Sequence, residues 1–128
     1  MDESQKMGMV TKVWGPAAWL FLHCIAFNYT PEKHKEYKLF FESLANVLPC
    51  KSCRDNYSHI IHKSNLKISK QIFKSRYTFA YWLFQVHNHV QNDIYAKSGL
   101  ECEKPMYSNS FEDYVTEIEN TYKIYSVI

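Results

Sequence analysis

The chain contains few of the residues that break helices or form tight turns. Its 128 residues include three Gly and four Pro, which favours long helices over many short strands. Apolar residues recur three and four positions apart along most of the sequence, as they do in amphipathic helices. No alternation typical of strands competes with this period, so the sequence predicts an all-α protein.

The helical period predicts five helices that are separated by short breaks. They cover residues 13–28, 31–48, 51–62, 71–97 and 111–122. Pro16 is placed in the first turn of the first helix, where proline is tolerated. Gly99 ends the longest helix, in keeping with the common position of glycine after a helix C-terminus. Helices of this number and length predict a bundle.

Length and composition indicate one globular domain. Residues 1–11 are expected to form a flexible N-terminal tail, and residues 12–128 a single domain. A content of 46% hydrophobic and 16% aromatic residues supports a packed core, and a net charge of +2 does not indicate nucleic-acid binding. The polar N-terminus lacks the apolar region of a secretory signal, and the longest apolar run, residues 17–22, is too short to span a bilayer. The sequence therefore predicts a soluble protein.

Cys50 and Cys53 form a Cys-x-x-Cys pair directly after Pro49, at the start of a predicted helix. A helix N-terminus favours the thiolate form of a cysteine. Three interpretations are open: a redox couple, a structural disulfide, or a zinc site completed by His59 and His62. The ring that such a disulfide closes is small and removes little chain entropy, so the redox couple is favoured. The lack of a βαβ pattern argues against a thioredoxin-like protein.

Two further clusters combine aromatic and polar side chains. Trp19 and His23 lie four residues apart, hence on one face of the first helix, and Gly15 allows close backbone approach near its start. In the long helix, His87 and Asn88 border the apolar face, where polar side chains are rare unless they contact another polar group. Each cluster is also compatible with an ordinary core or with an exposed polar surface.

Together, three motifs resemble those of the Erv/ALR sulfhydryl oxidases. They are Trp-Gly-Pro-x-x-Trp-x-x-Leu-His from residue 14, Leu-Pro-Cys-x-x-Cys-Arg from residue 48, and His-Asn-x-Val from residue 87. Their order and spacing cover about residues 13–100, and the short form looks most like the enzymes of large cytoplasmic DNA viruses. The resemblance implies a four-helix bundle with an additional short fifth helix, FAD bound within the bundle, and a homodimer.

The resemblance also implies a function and residue roles. It implies a thiol oxidase in which Cys50 exchanges with incoming dithiols, Cys53 lies next to the flavin, and electrons pass through FAD to dioxygen, giving hydrogen peroxide. The implied flavin-binding residues are Gly15, Trp19, His23, His87, Asn88, Val90, Gln91 and Lys97. Gln91 stands where the family has Asn, and strict spacing places the family's basic residue at Ala96, one residue before Lys97.

The implied partners are dithiol proteins or a thiol–disulfide relay protein, with no nucleic acid and no membrane. Because no signal peptide is visible, we expect a cytoplasmic location, such as a virus factory, or the virion. Cys24 lies on an apolar helix and is predicted to be a buried small side chain. Cys102 looks like one half of a second disulfide in relatives, whose other half is replaced here by Phe84. The alternative function is a zinc-stabilised helical interaction module.

Overall fold

The computed structural model describes residues 11–98 and 110–122, without the side chains of residues 94–98, 117, 118, 121 and 122. The α-helices are α1 (Thr11–Phe27), α2 (His34–Val47), α3 (Lys51–Lys63), α4 (Arg76–Ser98) and α5 (Phe111–Tyr122). Short 3₁₀ turns at Pro31–Lys33 and Lys70–Phe73 precede α2 and α4. No strand occurs in the described ranges, so the all-α prediction is confirmed for this part of the chain.

The first helix begins earlier than the sequence predicts. Thr11, which was expected to end the N-terminal tail, is already helical, and Pro16 therefore lies in the second turn of α1 rather than the first. Proline has no N–H, so Pro16 cannot donate the helical hydrogen bond to the carbonyl of Lys12. The rest of the expected tail and the predicted irregular segment 100–109 lie outside the described residues.

The long helix begins at Arg76 rather than at Gln71, because Ser75 and Thr78 cap it. The Ser75 hydroxyl oxygen accepts a hydrogen bond from the Thr78 backbone N–H at 3.1 Å, and the Thr78 hydroxyl accepts one from the Ser75 N–H at 3.0 Å. This reciprocal pairing resembles a capping box and fixes the helix start. The apolar period continues through the preceding 3₁₀ turn, which explains why the sequence predicted one continuous helix.

The chain divides into two compact units, residues 1–87 and residues 88–128, with the boundary inside α4. The first unit contains α1, α2, α3 and the first half of α4. The second contains the rest of α4 and α5. Each unit is described by itself below.

Phe79 lies in the aromatic core of the first unit. The centroid of its ring is 5.0 Å from those of Tyr29 and Phe41 and 5.5 Å from that of Trp82. All four side chains are buried, with at most 2% of their surface exposed. Aromatic side chains bury large areas and contribute strongly to core stability. This core joins α2 and α4 to the segment that follows α1.

Two buried aromatic residues of the first unit, Tyr57 and Trp82, donate hydrogen bonds to backbone carbonyls. The Tyr57 hydroxyl donates to the carbonyl of Phe41 at 2.6 Å, and Trp82 Nε1 donates to the carbonyl of Leu66 at 2.7 Å. Burial raises the pKa of Tyr57, which keeps its hydroxyl protonated as a donor. The Tyr57 bond connects α3 to α2, and the Trp82 bond connects α4 to the loop after α3. Both buried donors thus have an acceptor, as buried polar groups normally do.

In the second unit, α5 occupies the range predicted for the last helix. Ser110 caps it, because its hydroxyl oxygen accepts a hydrogen bond from the Asp113 N–H at 3.1 Å. Phe111 and Tyr114 are buried, and their ring centroids lie 5.6 Å apart. Neither α5 nor any other helix in the described ranges combines the length and apolar character that crossing a bilayer requires.

Candidate functional site

The two thiols lie where α3 begins. Cys50 is the N-cap residue with extended backbone (φ −154°, ψ 131°), and its Sγ accepts a hydrogen bond from the backbone N–H of Cys53 at 3.3 Å. This bond satisfies one of the donors that a helix start leaves without an intrahelical partner. Arg54 Nη1 donates to the carbonyl of Leu48 at 2.6 Å and so connects α3 to the segment before the thiols. The pair therefore occupies the helix start that the sequence predicted.

The surroundings of the two sulfur atoms make their acidities different. Both cysteines are free thiols, and Cys50 Sγ also lies 3.2 Å from the hydroxyl of Ser52. Burial raises the pKa of Cys50, but hydrogen bonds from Cys53 and Ser52 outweigh burial and lower this pKa to about 7. Burial and the hydrogen bond to Cys50 raise the pKa of Cys53 to about 11. Above about pH 7, the pair therefore carries its negative charge on Cys50.

Cys53 contacts α1 through Thr11, a residue that the sequence did not indicate. Thr11 Oγ1 lies 3.4 Å from Cys53 Sγ, across 42 positions of the sequence. Cys50 is 8% exposed and Cys53 is half-buried. The one local sign of a role for Thr11 is its position four residues before Gly15, which is too weak to identify it.

One face of α1 carries both Thr11, which contacts Cys53, and the buried His23. Thr11, Gly15, Trp19 and His23 follow one another at four-residue intervals and are neighbours along the helix. A rise of about 1.5 Å per residue separates Thr11 and Trp19 by about 12 Å along the axis. Gly15, between them, is buried, and a Cβ built on it would lie 3.5 Å from Thr11 Cγ2, an ordinary contact distance.

Trp19, His23 and His87 form a ring cluster between α1 and α4. The rings of Trp19 and His87 stack with centroids 3.9 Å apart and planes inclined by 8°. The centroid of His23 lies 5.8 Å from that of Trp19, and His23 Nε2 lies 2.9 Å from His87 Nδ1. The structure thus brings together three predicted site residues from two sequence motifs.

Both histidines of the ring cluster are neutral at physiological pH. Burial, and to a smaller extent the neighbouring His87, lowers the pKa of His23 to about 2. Burial lowers the pKa of His87 to about 3. In a neutral pair, one ring nitrogen donates and the other accepts. The ring cluster therefore combines flat apolar faces with uncharged polar edges, a surface suited to a planar aromatic ligand.

The other predicted cofactor residues belong to the second unit. Asn88, Val90 and Gln91 are half-buried on α4, and the side chain of Lys97 lies outside the described part of the structure. Asn88 Oδ1 is buried and accepts no hydrogen bond from the described residues. Buried polar atoms normally have a partner, so this oxygen is a candidate contact for a ligand donor. The roles of these four residues stay predictions.

The alternative interpretation of the Cys-x-x-Cys pair as part of a zinc site is not supported by the described residues. Among the described residues, no group of three or more His, Cys, Asp or Glu side chains is placed to hold a metal ion. His59 and His62 are exposed on α3, and His62 Nδ1 lies 2.9 Å from the carbonyl of Ser58 in the same helix. The structure therefore contradicts a zinc site that joins these histidines to Cys50 and Cys53.

The prediction that Cys24 is buried is wrong. Cys24 is an exposed free thiol on α1. The preceding residue, His23, occupies the core-facing position, and a rotation of about 100° per residue directs Cys24 away from that position. Phe21, three residues earlier, is also 62% exposed. Cys102 lies outside the described residues.

Known sequences confirm the family resemblance. The model of the Erv1/Alr family matches residues 16–114, a range that contains both thiols and the ring cluster. A probable FAD-linked sulfhydryl oxidase of Acanthamoeba polyphaga mimivirus is 34% identical over 84 residues, which cover 62% of this chain and 57% of that protein. A FAD-linked sulfhydryl oxidase of Arabidopsis thaliana is 30% identical over 107 residues, covering 80% of this chain and 53% of that protein.

A FAD-linked sulfhydryl oxidase of African swine fever virus is 32% identical over 88 residues, covering 66% of this chain and 70% of the viral protein. This chain spans a little more than half of the length of the mimivirus and Arabidopsis proteins that it matches.

Proposed function

The chain belongs to the Erv1/Alr family, and we propose that it is a FAD-linked sulfhydryl oxidase that forms disulfides in dithiol substrates. The observation that carries this proposal is the thiol pair at the start of α3. One sulfur, Cys50, has its pKa lowered to about 7, and the other, Cys53, contacts α1. Since α1 also carries Trp19 and His23, one helix connects the thiols to the candidate cofactor residues.

The residues present fit FAD, a planar group with polar edges. In the first unit, Trp19 and His87 offer stacked aromatic faces, and His23 is neutral. Within the second unit, the buried Asn88 Oδ1 lacks a donor among the described residues, and we assign Asn88 to FAD from its place in the family motif. We assign the same role to Gly15, Val90, Gln91 and Lys97 from their positions in the family motifs. Bound FAD would supply a two-electron acceptor from which dioxygen takes the electrons, giving hydrogen peroxide.

The chain's own part of the reaction is two thiol–disulfide exchanges, starting from a disulfide between Cys50 and Cys53. A substrate thiolate attacks Cys50 Sγ, a substrate–Cys50 bond forms, and Cys53 leaves as a thiolate with the electron pair of the broken bond. The substrate's second thiolate then attacks the substrate sulfur of this mixed disulfide and releases Cys50. The substrate has lost two electrons and two protons, and the protein holds the dithiol form described here.

The acidity of Cys50 suits the second exchange. A thiol with a lower pKa leaves faster from a disulfide, and hydrogen bonds lower the pKa of Cys50 to about 7 in spite of its burial. The backbone N–H of Cys53 and the hydroxyl of Ser52 therefore assist the release of oxidised substrate.

The accessibility of Cys50 limits the substrates. Because Cys50 is 8% exposed, its attacker must be a small dithiol or a cysteine on an extended segment. We therefore propose dithiol proteins or a relay protein with an exposed thiol pair as partners. We further propose a setting in the cytoplasm, such as a virus factory, or in a virion, since two of the relatives are viral proteins.

A homodimer completes the proposal. The α1 apolar surface, which we define as Val13, Ala17 and Phe21, repeats every four residues and is exposed. Val13 is 79% exposed and Phe21 is 62% exposed. Apolar side chains that recur along one exposed helix face commonly belong to an interface, and two-fold dimers are the commonest assemblies.

An absorption spectrum and a turnover assay test the oxidase function. The protein purified with FAD should show flavin absorbance, consume dioxygen in the presence of dithiothreitol and release hydrogen peroxide. Cys50→Ser should abolish turnover, keep FAD and show long-wavelength charge-transfer absorbance from the Cys53 thiolate. Cys53→Ser should lose both turnover and that absorbance.

Cys24→Ser is the matched control, because Cys24 is a free thiol outside the pair, and it should keep its turnover. A protein that binds no FAD, or a Cys50→Ser variant as active as the wild type, would rule out the proposed function.

A further inference from the structure

We propose that Thr11 is a positioning residue that stabilises the Cys53 thiolate as this sulfur leaves the Cys50–Cys53 disulfide. The inference rests on the proposed function, since it concerns the sulfur that substrate attack on Cys50 releases. Its basis is the distance of 3.4 Å between Thr11 Oγ1 and Cys53 Sγ, which joins α1 to α3.

The start of α3 stabilises negative charge more on Cys50, whose pKa is lowered to about 7, than on Cys53, whose pKa is raised to about 11. The backbone N–H of Cys53 donates a hydrogen bond to Cys50 Sγ at 3.3 Å, so this amide stabilises negative charge on Cys50. The hydroxyl of Thr11 reaches Cys53 from a different helix. A threonine hydroxyl rotates freely, so it can accept from the Cys53 thiol and donate to the Cys53 thiolate. One side chain thus serves both protonation states of this sulfur.

Within the described part of the chain, no charged side chain is among the groups that act on the pKa of Cys53 apart from Cys50. Lys51 and Asp55 on α3 are exposed and pair with each other at 2.9 Å, and Lys12 on α1 is also exposed. The ionisable group that acts directly on Cys53 is Cys50. Burial raises the pKa of Cys53 most, and the hydrogen bond and charge of Cys50 raise it further. The hydrogen bond with Thr11 lowers this pKa, and a backbone hydrogen bond at Cys53 itself lowers it to a smaller extent.

The two exchanges should therefore depend differently on Thr11. In the first, the electron pair of the broken S–S bond goes to Cys53 Sγ, and the Thr11 hydroxyl donates a hydrogen bond to it without transferring its proton. At this moment Cys50 is bonded to the substrate and bears no charge, so the effect of Thr11 on Cys53 is not opposed by a neighbouring thiolate. In the second exchange Cys50 leaves. The hydrogen bond with Thr11 is the smallest of the causes that lower the pKa of Cys50, so Thr11 should influence this exchange less than the first.

The decisive experiment measures the acidity of Cys53 without cofactor or oxygen. In a Cys50→Ser background, alkylation of Cys53 by iodoacetamide is followed against pH by mass spectrometry of the peptide that contains Cys53. Thr11→Val keeps the side-chain shape and removes the hydroxyl, so it should raise the midpoint by about one pH unit, which is about tenfold less thiolate below the midpoint. Thr11→Ser should restore the midpoint, and Thr116→Val, an exposed threonine on α5, should not move it.

A second measurement follows the reaction of the oxidised holoenzyme. After rapid mixing with dithiothreitol, Thr11→Val should slow the first exchange roughly threefold, because a thiol with a higher pKa leaves more slowly, with a coefficient taken as similar to the value of about one half for the attacking thiol. Circular dichroism checks that each variant is helical. If Thr11→Val does not fold, Thr11→Ala is used in its place.

An unchanged midpoint in Thr11→Val, or an equal shift in Thr11→Ser, would overturn the inference. If Thr11→Val shifts the alkylation midpoint but the wild-type protein has no oxidase activity, the proposed function is refuted and the Thr11–Cys53 interaction stands. If the wild-type protein is an active oxidase but Thr11→Val leaves the midpoint unshifted, only the role of Thr11 is refuted.

Discussion

His23 and His87 share a buried hydrogen bond of 2.9 Å, although 64 positions separate them in the sequence. Both imidazoles are neutral because burial lowers their pKa values to about 2 and about 3. The bond holds α1 against the first half of α4 and orders the stack of Trp19 on His87. The same contact thus supports the helix packing and the candidate cofactor surface.

Acid should destabilise the protein through this histidine pair. In the unfolded chain each imidazole binds a proton below its ordinary pKa of 6.5, whereas in the folded protein burial lowers the pKa of His23 to about 2 and that of His87 to about 3. The unfolded state therefore binds more protons below pH 6.5, so this stability is complete above that pH and is lost as the pH falls towards 3. Between pH 7 and pH 5, urea unfolding should show a loss of about 2 kcal/mol per histidine.

The control for this prediction uses exposed histidines. A double variant, His23→Gln with His87→Gln, should reduce the pH dependence of the free energy of unfolding. His59→Gln with His62→Gln changes two exposed imidazoles on α3 and should keep the wild-type pH dependence. Equal pH dependence in both double variants would show that the buried pair is not its source.

Gly15→Ala should stabilise the fold and weaken cofactor binding. Alanine is favoured over glycine inside a helix by about 1 kcal/mol, and the added Cβ would make an ordinary contact of 3.5 Å with Thr11. The methyl group would also project from the face of α1 that carries Trp19, where we place FAD. Urea unfolding and the flavin absorbance per chain measure the two effects.

Ala17→Gly is the matched control, because Ala17 is exposed on the same helix. It should lower the free energy of unfolding by about 1 kcal/mol and leave the flavin content unchanged. Full flavin content in Gly15→Ala would remove Gly15 from the proposed site.

Phe79→Ala should be among the most destabilising single changes in the first unit. Phe79 is fully buried against Tyr29, Phe41 and Trp82, so truncation leaves a cavity and should cost about 3–5 kcal/mol. Tyr77→Ala, on the same helix but 59% exposed, should cost less than about 1 kcal/mol. Urea unfolding compares the two, and similar losses would contradict the central position of Phe79 in the core.

The α1 apolar surface should hold two copies of the chain together. We expect a dimer in sedimentation velocity at micromolar concentration, and it should persist under reducing conditions because the contact is apolar rather than a Cys24 disulfide. Phe21→Asp should shift the protein to monomer, since it places a charge in the interface. Tyr77→Asp, an exposed aromatic on α4, should leave the dimer intact. A wild-type monomer would exclude this assembly.

Local patterns in the sequence determined the helices and the positions of the candidate groups. The period of apolar residues predicted the helical class, and the last helix was predicted at its observed bounds, Phe111–Tyr122. The spacing of Cys50 and Cys53 after Pro49 placed both thiols at a helix start. Such features depend on residues a few positions apart, which helix geometry relates directly.

Only the tertiary structure decided which groups meet across helices. A helical period marks an apolar face but does not identify its partner, so the contacts of His23 with His87 and of Thr11 with Cys53 could not be read from spacing. For the same reason the apolar neighbours of Cys24 suggested burial, although its direction from α1 leaves it exposed. The acidities of the two thiols also depend on the tertiary structure. Cys50 and Cys53 are the same residue type, and burial and hydrogen bonds from other residues separate their pKa values.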